Sequence, residues 1–273
     1  MCLYPHTMGR GVKSENKKTI MAIGIALLII VVGYAALIAY TGMNTPFSVV
    51  MSQSMQHDNE RSQIGCIDTG DIVVVKNKSN SDIQSYVEGT QIGYSSFGDY
   101  GSVIIYERNV NYNPVIHRAI VWLEWDSNTK KWSSPELENY KGTWYSSNGS
   151  DYTDLTGTLT FVDITQSKKT VSINLSNLGK NSGYLTLGDN PKTNLSFDQA
   201  SGIIGHPISY SEIKSVPILE LPWLGTIKLL IKGNSNLTYV PNSVPSLAML
   251  LTLVIASMVI IDIIWQARRW KNE

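Results

Sequence analysis

Four short blocks carry residue types able to do nucleophilic and acid–base chemistry. Ser52-Gln53-Ser54-Met55 offers two hydroxyls, and Val115-Ile116-His117-Arg118 an imidazole. Gly70-Asp71-Ile72-Val73-Val74 places a carboxylate at the head of a β-branched run. Leu187-Gly188-Asp189-Asn190, followed by Thr193-Asn194 and Asp198-Gln199, adds two more carboxylates. A serine hydroxyl is a poor nucleophile at neutral pH and needs an adjacent base to take its proton. Neutral imidazole does this near pH 7 and afterwards protonates the leaving amine. A carboxylate behind the ring fixes its tautomer and stabilises the imidazolium. Each block alone is weak, because Ser-x-Ser recurs by chance and a lone histidine in an apolar strand is usually a core residue. His57 stands too near Ser54 in sequence to be an obvious base, yet it stays open as one. His206, in Gly205-His206-Pro207, reads as structural. No His/Cys/Asp cluster has metal-ligand spacing, and there is no P-loop or dinucleotide fingerprint. No basic face suggests nucleic acid. We therefore expect no metal, no cofactor and no nucleic-acid partner.

The elements that must position these residues start at a membrane. Net charge is zero, from 22 basic and 22 acidic residues, but both tails are basic. The first apolar run, Ile20 to Tyr40, has no charge from Thr19 through Gln56. As a helix it rises about 30 Å, enough to cross a hydrocarbon core, and it is too long for the h-region of a cleaved signal. The second run, Val244 to Trp265, carries Asp262 near its end, beside Trp265 and the basic tail. Two crossings and two basic tails agree with cytoplasmic termini. The expected layout is a tail over 1–18, a transmembrane helix over 19–41, an outer domain over 42–243, a second transmembrane helix over 244–265 and a tail over 266–273. Cys2 then lies inside and Cys66 outside, so they cannot pair, and the outer domain must stand on its core alone. Five Asn-x-Ser/Thr sequons, at Asn77, Asn148, Asn174, Asn194 and Asn236, fit an exported surface, although an Asn/Ser/Thr-rich chain also makes sequons by chance.

The outer segment reads as mainly β. Asp71 to Lys76, Ser102 to Tyr106 and Val115 to Leu123 are β-branched runs between turn residues. Thr156 to Ile164 and Thr170 to Leu175 alternate apolar and polar residues as half-buried strands do. No sustained helical period lies between residues 60 and 215. Asn77 to Gly101 and about 124–183 look like insertions, the second a β-rich subdomain of its own. Pro217 to Ile231, with Pro222-Trp223-Leu224-Gly225 at its centre, reads either as a segment resting on the membrane interface or as a core strand pair.

The four blocks, in this order after an N-terminal anchor, resemble the boxes of type I signal peptidases. The similarity is to the branch of archaea and the endoplasmic reticulum, which has histidine where bacteria carry a lysine base. It covers about 60–70 residues and the anchor; the insertions match nothing in the family. The resemblance implies a β-barrel ectodomain, Ser54 as nucleophile and His117 as general base. It implies Asp198 as the orienting acid, with Asp189 as a supporting one, although Asp189 also suits a turn in Gly-Asp-Asn-Pro. It implies an oxyanion hole from the Ser54 N–H and the Ser52 hydroxyl, with Met55 anchoring the turn. Gln53 replaces the family's usual glycine and is tolerable only at negative φ; Gln56 stands where proline is common.

The expected activity is a membrane-bound serine endopeptidase that cleaves signal peptides from exported preproteins after small residues. Its implied partners are secretory preproteins, membrane lipid and the Sec translocon, at a plasma membrane, archaeal rather than endoplasmic reticulum. Two rivals stay open: a non-catalytic two-pass surface protein whose β ectodomain serves adhesion or assembly, and a related self-processing or pilin-maturing peptidase.

Overall fold

The computed structural model describes residues 9–108, 112–231 and 243–271. Cys2, the Asn236 sequon and the charged side chains flanking the apolar runs, Arg268 excepted, lie outside that description. The chain forms two compact units, divided after Pro46. The first is helix α1, Gly9–Thr41, of which Ile20–Thr41 is long and apolar enough to cross a membrane. Thr41 Oγ donates to the Leu37 carbonyl, and Gly42 follows at φ +66°, the left-handed conformation that ends helices.

The second unit is mostly antiparallel β structure. Its strands are β1 (Phe47–Val49), β2 (Ile72–Asn77), β3 (Ser95–Ser96), β4 (Asp99–Tyr100), β5 (Val103–Tyr106) and β6 (Val115–Asp126). They continue as β7 (Lys131–Ser133), β8 (Thr143–Tyr145), β9 (Thr158–Ile164), β10 (Lys169–Asn174), β11 (Gly183–Leu187) and β12 (Ile213–Leu221). The main sheet runs β1-β2-β12-β5-β6-β11, with β7 on the far end of β6. The hydrogen bonds stop at β1 on one side and β11 on the other, so they draw an open sheet and not the expected closed barrel.

The inserted region folds as a second sheet, in the order β10-β9-β8. Its alternation places Leu159, Phe161, Val171 and Ile173 in one core with Ile120, Val121, Leu123, Leu185 and Leu187 of the main sheet. Phe197 completes that core, its ring edge-on to Phe161 at 6.1 Å. A smaller core joins Ile104, Tyr106, Ala119, Tyr184, Ile208 and Ile213.

Helices do interrupt the β region. Helix α2, Tyr86–Ile92, opens with a capping box between Ser85 and Glu88 and closes at Gly93, φ +75°. Two turns are too short to show a helical period, so only the caps announce it in the sequence. Helix α3, Asp198–Ser201, is a single turn. The apolar stretch after residue 217 divides in two. Pro217 and Leu219 belong to β12, at a bulge that spares the ladder the missing N–H. Residues 222–225 turn into α4, Thr226–Ile231, which leaves Ile227, Leu230 and Ile231 exposed, the last by 81%.

Helix α5, Ser243–Lys271, contains the second candidate span, Ser243–Arg268. Gln266 donates to Asp262 one turn earlier, which gives that carboxylate a partner. At its start the Ser243 hydroxyl donates to the Thr69 carbonyl at 2.6 Å, and Leu247 is buried. The same turn is tied to the chain around Ser54: Gly70 N donates to the Val50 carbonyl, and Thr69 Oγ to the Gln56 side chain.

Candidate active site

His117 and Arg118 are neighbours on β6, paired with Ile104 and Val103 of β5. Strand alternation sends their side chains to opposite faces. His117 is buried, and its Nδ1 lies 2.7 Å from Asp198 Oδ2. That oxygen also accepts from the Tyr106 hydroxyl of β5 at 2.7 Å and the Thr186 hydroxyl of β11 at 2.6 Å. The strands on both sides of β6 therefore fix the carboxylate, while the buried Phe197 seats the turn that carries it. Burial and the Asp198 anion push the Tyr106 phenol well above its ordinary value, so it is a permanent donor. In the neutral ring that donates Nδ1–H to Asp198, Nε2 is the acceptor, the role a general base requires. It faces Asn194 Nδ2 at 3.5 Å.

Asp189 sits in a different constellation. Arg118, 0% exposed, donates Nε to Oδ1 at 2.9 Å and its terminal nitrogen to Oδ2 at 2.6 Å. The other terminal nitrogen lies within 3.2 Å of the carbonyls of Ser96, Asp99, Tyr100 and Gly101. His57 Nε2 stands 3.3 Å from Asp189 Oδ2, and Cys66 Sγ 3.5 Å from His57 Nδ1. Burial opposes charge on both Asp189 and His57, but their partners outweigh it. Arg118 and His57 hold the Asp189 carboxyl well below the usual range. Asp189 and Cys66 raise His57 to about 10. Asp189 and Cys66 thus favour the charged form of His57 and occupy both ring nitrogens, and among the described residues no hydrogen bond joins it to Ser54. His206 pairs with Glu212 at 2.6 Å.

Ser54 lies on a turn closed by Gln56 N donating to the Gln53 carbonyl, with Met55 buried beneath it. Its Oγ is 3.2 Å from Ser52 Oγ. Gln53 is not among the residues at positive φ, so its side chain costs no strain there. The block at 188–190 clasps this turn. Asn190 N donates to the Ser54 carbonyl at 2.9 Å, and Asn190 Nδ2 to the Gln53 carbonyl at 2.7 Å. Gly188 permits the approach: a Cβ there would lie 2.5 Å from the Ser54 carbonyl and 2.5 Å from the Asn194 amide. Among the described residues no hydrogen bond joins Ser54 to His117. The structure thus joins His117 to Asp198 and Ser54 to Ser52, and it ties Asp189 to Arg118 and His57. Asp71 is a buried turn organiser that accepts from the N–H groups of Trp223 and Asp68.

Sequence reasoning missed Tyr106, Thr186, Asn190 and Lys169 as contributors. Tyr106 and Thr186 become visible only through strand register. Lys169 carries a signal of its own, a basic residue at an inward position of an alternating strand. No protein-family model matches the chain, and no curated protein matches it.

Proposed function

We propose that the protein is a membrane-bound serine endopeptidase that removes signal peptides from exported preproteins, with Ser54 as nucleophile and His117 as base. The observation that carries this reading is the buried His117–Asp198 pair, with Nδ1 2.7 Å from the carboxylate and Nε2 turned to Asn194. A buried carboxylate that takes three donors on one oxygen, the imidazole among them, is an arrangement a purely structural histidine does not need.

In the proposed reaction Ser54 Oγ attacks the scissile carbonyl carbon as its proton passes to His117 Nε2. Asp198 stabilises the imidazolium through Nδ1. The Ser54 N–H and the Ser52 hydroxyl stabilise the oxyanion. When the C–N bond breaks, the Nε2 proton goes to the leaving amine. Water then hydrolyses the acyl-serine, with His117 again taking the proton. Asp189 supports the site from a distance by ordering the segment that holds the serine turn. Strand β1 ends the sheet and leads directly to Ser54, so an extended substrate can add along its edge, with small residues before the cut fitting shallow pockets. The two apolar helices put the enzyme in the substrate's membrane, which raises effective concentration. Both termini are cytoplasmic, and the membrane is an archaeal plasma membrane, where the Sec translocon delivers the substrate.

The unmade Ser54–His117 bond favours the rival, a non-catalytic surface protein. One experiment separates them. The purified full-length protein in detergent is incubated with an exported preprotein, alongside Ser54→Ala and His117→Ala. Cleavage by the wild type that is lost in both variants is the expected result. Persistent cleavage in either variant overturns the assignment, and an inactive wild type supports the rival.

A further inference from the structure

Lys169 opens β10, where the other inward side chains are Val171 and Ile173. It is only 7% exposed. Its Nζ lies 2.8 Å from the Gly188 carbonyl, 3.0 Å from that of Asp189 and 2.9 Å from that of Asn190. Three N–H donors on three carbonyls use the whole capacity of an ammonium group. The acceptors are consecutive residues, so their backbone turns around the cation.

That same backbone clasps the serine turn through Asn190, by both its N–H and its side chain. A short path therefore leads from Lys169, through the carbonyls of 188–190, to the backbone of Gln53 and Ser54. The hairpin tip before Lys169 is fixed on its other side. Gln166 N donates to Asp99 Oδ2 at 2.7 Å, and the Gln166 side chain donates to the Gly98 carbonyl. Thr165 and Lys168 adopt φ +63° and +47°, strained for residues with a side chain, and the Lys168 N–H closes the turn on the Thr165 carbonyl.

We infer that Lys169 is a positioning residue for the Ser54 turn, and that the inserted β8–β10 sheet is part of the scaffold of the site and not a separate binding module. The inference rests on the peptidase reading for its effect on activity, but not for its effect on structure. Asp189, Asp99 and Asp198 favour the charge on Lys169, and Arg118 opposes it. Burial dominates and pulls the ammonium down to about 8. Above that pH the amine keeps two N–H donors and turns a lone pair toward a carbonyl, so the 188–190 segment loosens.

The test uses the full-length protein in detergent with Lys169→Met and Lys169→Arg. In Lys169→Met, amide exchange should speed up about tenfold or more in 52–57 and 186–194, while β2 and β12 keep their protection. The kcat should fall with KM changed by no more than about twofold. Wild-type activity should decline on the alkaline side, and Lys169→Arg, which keeps its charge, should move that limb up by about one pH unit or more. If Lys169→Met unfolds throughout, the wild type decides by itself. Protection of the Asn190 amide, corrected for intrinsic exchange, should drop between pH 7 and 9.5, and constant protection overturns the inference. Unchanged exchange in both segments, or an alkaline limb unmoved in Lys169→Arg, also overturns it. An absence of Ser54-dependent cleavage would sink the peptidase reading, and the exchange measurements would still decide Lys169.

Discussion

Two aspartates nine residues apart are held by unlike neighbours, and their substitutions should fail in unlike ways. Asp198 gives one oxygen to His117, Tyr106 and Thr186. On the peptidase reading, Asp198→Asn removes the charge that would stabilise an imidazolium and disturbs the tautomer, so kcat should drop by about 10^3-fold or more in steady-state assays. Asp189→Asn instead leaves the buried Arg118 uncompensated. That should cost about 3–5 kcal/mol of stability, read by thermal unfolding, with a loss of activity in the folded protein well short of that in Asp198→Asn. Equal effects of the two substitutions would remove the division of roles. The blocks read from the sequence contain His117 and both aspartates, and the structure pairs His117 with Asp198 and Asp189 with Arg118 and His57. The family resemblance pointed to Asp198 as the acid behind the ring, but residue spacing by itself did not, because that contact depends on the pairing of β6 with β5 and β11. Nor did spacing show that His57 is Asp189's partner, since the contact spans 132 positions.

Among the elements, β2, β5, β6, β9 and β10 were legible from β-branched runs and alternation, which are direct traces of one or two buried faces. Helices α2 and α3 were not, since seven and four residues carry no periodicity. Strand β12 was half legible, with Pro217 concealing it until the bulge explained the proline. Glu220 on this strand makes a prediction of its own. One carboxyl oxygen accepts from Gly65 N, and the other is buried without a partner among the described residues. Burial, with Asp68 adding to it, raises its carboxyl to about 7, above the ordinary unfolded value. Its contribution to stability is therefore full at acid pH and is lost as pH rises through about 7. Glu220→Gln keeps the acceptor for Gly65 without the charge. Its melting temperature should exceed the wild type's at pH 8, by about 1–2 kcal/mol of stability, and lose that advantage by pH 5. An advantage independent of pH would show that the charge is not the cause.

At the scale of the whole molecule, the two apolar helices were readable from length and composition alone, whereas the bond from Ser243 to Thr69 was not. The proposed outward orientation of the β domain can be checked through its sequons. In Asn77-Lys78-Ser79 and Asn174-Leu175-Ser176 the serine hydroxyl donates to the asparagine Oδ1, at 2.9 and 2.6 Å. Asn148 Nδ2 is engaged with the Asp154 carbonyl, and Asn194 Nδ2 faces His117. Glycopeptide mass spectrometry on protein from a glycosylating host should find sugar at Asn77 and Asn174 and none at Asn194. Sugar at Asn194 in active protein would contradict the site. Arg118 has one more consequence, and it concerns time. Its buried charge needs the carbonyls of 96–101, made before it, and Asp189, made 71 residues after it. During synthesis that guanidinium must wait in water, and β6 cannot settle beside β5 with its final partners until Asp189 emerges. Asp198 and the clasp on Ser54 arrive in the same late stretch. If Ser54 is the nucleophile, a nascent chain carries it for well over a hundred residues before the pair that would activate it, His117 with Asp198, is complete. On the peptidase reading, a half-made copy is harmless to the membrane in which it is being built.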